Sequence, residues 1–204
     1  MMTARTSARL ASLVALAALL TACGSAPATP IATSTPAGVQ SPAAEADEHN
    51  EADATFAQMM IIHHQGAIEM AELAVTSAAS DEVRSLAERI AAAQGPEIEQ
   101  MSRWLDGWGE DQPDTADMTG MGHAGMQMEG MDQSAVMAEL ATLAGADFDR
   151  RFLQLMIEHH RGAIEMAEDA RAQGVHPDAL RLAGRIIDAQ SIEITEMDNL
   201  LRSR

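Results

Sequence analysis

Two adjacent histidine pairs, His63-His64 and His159-His160, lie among methionines at helical spacing. Imidazole accepts copper in either oxidation state, and thioether is a soft ligand that favours Cu(I). Met60 precedes the first pair by one turn, and Met70 follows His63 by two turns. Met156 and Met166 stand in the same relation to His159 and His160. The chemistry these residues offer is soft-metal binding: His63, His64, Met60 and Met70 in one segment, His159, His160, Met156 and Met166 in the other.

The elements that must position them follow from periodicity. At about 100° per residue, Phe56, Met60, His63, His64, Ala67, Met70, Ala71 and Ala74 share one helical face. Glu69 and Ile62 fall on the opposite side, so Glu69 is expected in solvent. A second periodic stretch puts Gln94, Glu97, Ile98, Met101 and Leu105 on one face. Gln190, Glu193 and Met197 repeat that arrangement. Inward His, Gln and Glu need partners, because an unpaired buried polar group is costly. Two readings answer that need. In one, a His–Glu or His–Gln network fixes the register of the helices. In the other, the histidines and methionines hold a metal, with Gln94, Glu97, Met101, Gln190, Glu193 and Met197 as further ligands or supports.

The two segments are copies of one unit. Phe56 to Glu72 returns as Phe152 to Glu168, and the offset of 96 holds without a gap to Leu105 and Leu201. Each copy reads as two helices, residues 53–77 and 81–105, then 147–173 and 177–201. Asp53 and Asp147 suit an N-cap or first turn, Pro177 a first turn, and Gly174 a stop. Pro96 predicts a kink or a break in the second helix. Short loops imply antiparallel hairpins. The expected fold is all-α: a ferritin-like four-helix bundle built from two duplicated helical hairpins, residues 46–105 and 134–204.

Residues 106–133 join the hairpins and are rich in Met and Gly. Met118, Met121, His123, Met126, Met128 and Met131 have no core periodicity, and their spacing resembles copper-binding methionine motifs. They are candidate linker ligands; otherwise they are incidental to a low-complexity linker. At the other end, Arg5 and Arg9 precede an apolar run from Leu10 to Leu20, too short to span a bilayer. Leu20-Thr21-Ala22-Cys23 then resembles a bacterial lipoprotein cleavage site. On that reading residues 1–22 are a signal peptide and Cys23 carries lipid. Residues 23–45, dominated by Ala, Pro, Thr and Ser, form a flexible tether. The acidic stretch that follows, with His49, is expected in solvent.

Composition excludes other classes. Net charge is -18 and every one of the 13 basic residues is Arg, so nucleic acid is not a partner. Aromatics are 2% of the chain, against an all-β fold. One Cys excludes a disulfide framework or a Cys-rich metal site. No Ser/His/Asp arrangement is present.

The pattern Met-Ile-x-His-His-x-x-Ala-Ile-x-Met-Ala, followed by a helix with Gln-x-x-Glu-Ile-x-x-Met, resembles the exported bacterial family called domain of unknown function 305, in two tandem copies. They cover about residues 53–105 and 134–201. The resemblance implies a ferritin-like helical bundle and a connection with copper. It would place metal ligands on the His and Met of the motif. Ile62 precedes the first pair where Glu158 precedes the second, so the copies are not identical, and the Met-rich linker is not part of the motif.

The expected function is an exported, membrane-anchored protein that buffers or sequesters copper, with Cu(I) favoured and other transition metals compatible. It is expected to be no enzyme. A copper-exchange partner or a second copy of the chain would fit that role. The alternative is a structural or adaptor bundle whose histidines bind no metal. A ferritin-like metal oxidase is a third reading, but neither copy contains the Glu-x-x-His that such sites use.

Overall fold

A computed structural model describes residues 48–113 and 133–203. These residues form α1 (Glu51–Ser77), α2 (Asp81–Trp108), α3 (Gln133–Ala141), α4 (Gly145–Gln173) and α5 (Pro177–Arg202). Four of these are the long helices expected from the repeat. α3 was not expected: it starts at the end of the Met-rich segment and buries Val136 and Leu140. No helix among the described residues is long and apolar enough to cross a membrane.

Local sequence sets the ends. Asn50 caps α1 by accepting from the Asp53 N–H, and the Asp53 carboxylate accepts from the Asn50 N–H in return. Asp53 is therefore the third helical residue rather than the cap. Ser80 caps α2 and the His176 ring caps α5, with Pro177 in its first turn. α2 ends at Gly109, whose φ of 76° is the left-handed conformation that glycine adopts without strain. Of the kink or break expected at Pro96, a break does not occur; α2 runs through it. Ile90 and Gln94 before the proline, and Met101 and Leu105 after it, are all buried and keep both halves docked.

α1 pairs with α2, α4 with α5, and the two hairpins meet chiefly along α1 and α4. The core forms two apolar clusters, each drawing on both hairpins. One joins the C-terminal half of α1 and the start of α2 to the N-terminal half of α4, through Met70, Leu86, Ile90, Phe152 and Met156. The other joins the N-terminal half of α1 and the end of α2 to the C-terminal half of α4 and the start of α5, through Phe56, Met60, Met101, Ala167 and Leu182. α1 and α4 therefore run antiparallel, and the offset of 96 exchanges Phe56 with Phe152 and Met60 with Met156 between the clusters.

Two buried carboxylates tie the hairpins together. Asp53 on α1 accepts from the Val175 and His176 N–H groups in the loop before α5, at 2.9 and 3.0 Å. Asp149, its equivalent on α4, accepts from the Ala79 and Ser80 N–H groups in the loop before α2, at 2.8 and 3.0 Å. Each hairpin thus holds the other's turn. At the Asp53 end, His49 is not simply solvated. Its ring stacks on Trp108 with centroids 4.5 Å apart, and it pairs with Glu110. The indole face offers apolar cover that the acidic flanking sequence gives no hint of.

A candidate metal centre at the hairpin interface

The middle turn of α1 faces the middle turn of α4, and both carry a His-His pair there. The structure divides each pair into two roles. His64 and His160 turn toward their own hairpins. His64 Nε2 lies 2.8 Å from Glu97 Oε2, and His160 Nε2 lies 2.6 Å from Glu193 Oε2. His63 and His159 turn toward each other, with ring centroids 3.7 Å apart and planes inclined by 50°. The sequence presents all four histidines as equivalent ligands. The helical wheel places adjacent residues 100° apart, and that angle sends one toward the hairpin partner and the other across the interface.

The facing pair is buried and unpartnered. His63 is 9% exposed and His159 1% exposed. None of their four ring nitrogens has a hydrogen-bond partner in the described structure. Burial, and then the charges of His64 and His160, push the His63 imidazolium down to about 3. Burial also holds His159 well below the usual histidine range, with His63 the next contributor. Both rings are therefore neutral at ordinary pH, and a neutral imidazole is the form that binds a metal. Nδ1 of His64 and of His160, and Oε1 of Gln94 and of Gln190, are further buried atoms without partners.

A glycine of the opposite helix lies against each ring. A Cβ at Gly162 would sit 3.3 Å from His63 Nε2, and one at Gly66 would sit 3.4 Å from His159 Nε2. Each ring thus lies against the backbone of the opposite helix, at positions related by the same offset of 96.

The methionines are divided between the two clusters, not grouped by repeat. Met60 and Met101 are fully buried in one, with Met166 half-buried against it. Met70, Met156 and Met197 are buried in the other. Met60 and Met70, expected as one ligand set, therefore belong to opposite sides of the histidine layer. Glu69 is exposed as expected and accepts from the Gln133 amide. Among the described residues, no three or more His, Cys, Asp or Glu side chains are arranged to hold an ion. What the structure assembles is a pair of imidazoles at the junction of the copies. Cys23, Met118, Met121, His123, Met126, Met128 and Met131 lie outside the described residues.

The family model of domain of unknown function DUF305 matches residues 53–201. The chain belongs to the DUF305 family. The chain is similar to a DUF305 protein of Streptomyces coelicolor described as secreted, at 38% identity over 78% of this chain and 93% of that one, with a TM-score of 0.65. A DUF305 fragment from Deinococcus radiodurans is 31% identical over 76% and 98%, with a TM-score of 0.67. CopM in its Cu(II)-bound form is 37% identical over 74% and 96%, with a TM-score of 0.62. CopM structures with Cu(I) and with silver match as well. No curated protein matches the chain. The all-α bundle is thus shared with the DUF305 neighbours.

Proposed function

We propose that this DUF305 protein binds copper, and that it is exported and held at the membrane by lipid on Cys23. Its role is to buffer or sequester the ion rather than to turn over a substrate. The observation that carries this reading is the His63/His159 pair: two neutral imidazoles, four buried nitrogens and, among the described residues, no partner for any of them. Leaving such groups unpaired costs roughly 1–3 kcal/mol each, and a bound cation would offset that cost. The similarity to CopM, solved with Cu(II), Cu(I) and silver, supports copper as that cation. Two imidazoles, with thioethers in the flanking clusters as further donors, suit a soft monovalent ion. His64 and His160, fixed by Glu97 and Glu193, support the facing pair or complete its ligands.

The test is a Cu(I) titration of the full chain against a competing chelator. Changing His63 and His159 to Ala abolishes the tight component, and adding His64→Ala and His160→Ala removes little more. Tight binding unchanged in the double variant would refute the bundle site.

A second reading is favoured by one observation. His64–Glu97 and His160–Glu193 are hydrogen-bonded pairs through Nε2, and no group of three or more His, Cys, Asp or Glu is assembled among the described residues. A bundle that uses its histidines only to fix register would melt at the same temperature with and without copper. A copper-binding one melts higher with it.

A further inference from the structure

The facing rings are packed too closely to share an ion as they stand. An imidazole nitrogen holds a metal at about 2 Å, which sets the ion roughly 3 Å from the ring centroid. Two rings on one ion then have centroids about 5 Å apart at a tetrahedral angle and about 6 Å apart in line. The centroids of His63 and His159 are 3.7 Å apart. At that separation the angle at a shared ion would be only about 70°, well inside the tetrahedral angle. One ring alone offers no better seat, because all four nitrogens are buried.

The direction of the rings adds a second obstacle. His63 Nε2 lies 3.3 Å from the Cβ position of Gly162, on α4, and His159 Nε2 lies 3.4 Å from that of Gly66, on α1. Each ring reaches past the other, so the two Nε2 atoms end on different helices rather than at a common point. Neither ring can advance, because a helix backbone stands in front of it. Swinging aside meets close packing: Met60 and Met156, one turn before each pair, are fully buried in the flanking clusters. What remains is movement of the helices themselves. Their ends are pinned. Asp53 and Asp149 together accept from four N–H groups of the opposite hairpins' turns, and Ala78 forms a backbone bridge with Gly145.

We infer that the stacked pair is a closed state, and that a small soft cation enters only when α1 and α4 part at the histidine layer, separating the rings by roughly 1–2.5 Å. Only the identity of the ion rests on the copper reading; that the nitrogens are reached when the helices part stands apart from it. A bound ion holds the rings apart and so favours the open state. The carboxylate pins govern how often the layer opens, and loosening one makes the nitrogens reachable more of the time.

The first measurement uses no metal. The metal-free full chain is treated with diethyl pyrocarbonate, which carbethoxylates neutral imidazole nitrogen, and each modified histidine is assigned by peptide fragmentation. His63 and His159 are expected to react at least about a hundredfold more slowly than N-acetylhistidine, because the reagent reaches them only in the open state. Asp149→Asn turns one of the two accepting oxygens of a pin into a donor, and should speed both rings together, severalfold. Urea below the unfolding transition should do the same in the unaltered chain, so the test stands even if the variant folds poorly. Rates close to that of N-acetylhistidine, or rates that neither Asp149→Asn nor urea changes, would overturn the inference. Ag(I) uptake, followed by stopped flow, should be faster in Asp149→Asn, and the structure of the Ag(I)-loaded chain should show the centroids about 5 Å apart or more. An ion seated on rings still 3.7 Å apart would overturn the inference and leave the copper reading standing. Labelling as expected without any Ag(I) or Cu(I) at the pair would overturn the copper reading and leave the parting of the helices in place.

Discussion

Acid should destabilise the metal-free protein through His63, by an amount that can be worked out. An unfolded histidine takes up its proton near pH 6.5, whereas folded His63 holds off until about 3. Between those values the unfolded chain binds one proton more than the folded chain. Stability therefore falls as pH falls, by about 1.4 kcal/mol per pH unit for this one group. The contribution is fully present above pH 6.5 and finishes declining near 3. From pH 7 to pH 5 the loss is about 2 kcal/mol, a sizeable share of the roughly 5–15 kcal/mol that holds a domain folded. His159 adds a loss of the same sign. His63→Leu removes the titrating group while keeping an apolar side chain at the interface. Urea unfolding of both proteins, metal-free, at pH 7, 6 and 5 isolates the effect. The stability of the unaltered chain relative to His63→Leu is expected to fall by about 2 kcal/mol across that range. A difference constant to within about 0.5 kcal/mol would refute the claim that His63 is held neutral by burial.

Two further outcomes test the framework around the pair. Asp53→Ala and Asp149→Ala each remove the carboxylate that accepts two backbone N–H groups of the opposite hairpin's turn, and each is expected to cost about 1–3 kcal/mol in urea unfolding; a loss under about 0.5 kcal/mol for both would show that the turns hold themselves. Met60→Leu and Met156→Leu keep core volume and should change stability by less than about 1.5 kcal/mol, while weakening Cu(I) binding against a chelator; unaltered affinity would assign these methionines to packing alone.

Much of this architecture was legible in the sequence. The offset of 96 and the 3.6-residue period gave four helices in two hairpins, and the placement of Glu97 on an apolar stripe anticipated a partner such as His64. Periodicity reports which face of a helix is buried but not what lies opposite. Nothing local therefore distinguished His63, which meets the other hairpin, from His64, which meets its own. Asp53 and Asp149 illustrate the same limit. Asp53 reads as a cap or first-turn acid, and Asp149 drew no reading at all; the donors each holds on the other hairpin lie some 120 residues away for Asp53 and 70 for Asp149. α3 has only Val136 and Leu140, one helical turn apart, to mark it. Its docking brings the Gln133 carboxamide against Gly66, and no local signal announces that contact.

The pseudo-symmetry of the bundle has a consequence for what such a site can become. Two identical hairpins associating as separate molecules would present the same surface twice. Any residue that covered one histidine would cover its mate. Joining the copies in one chain removes that obligation. A segment placed between them, as α3 is, exists once and can settle on one side only. The fused chain keeps the facing imidazoles of a symmetric pair while setting the Gln133 carboxamide beside His159, so that the two rings need not share one environment.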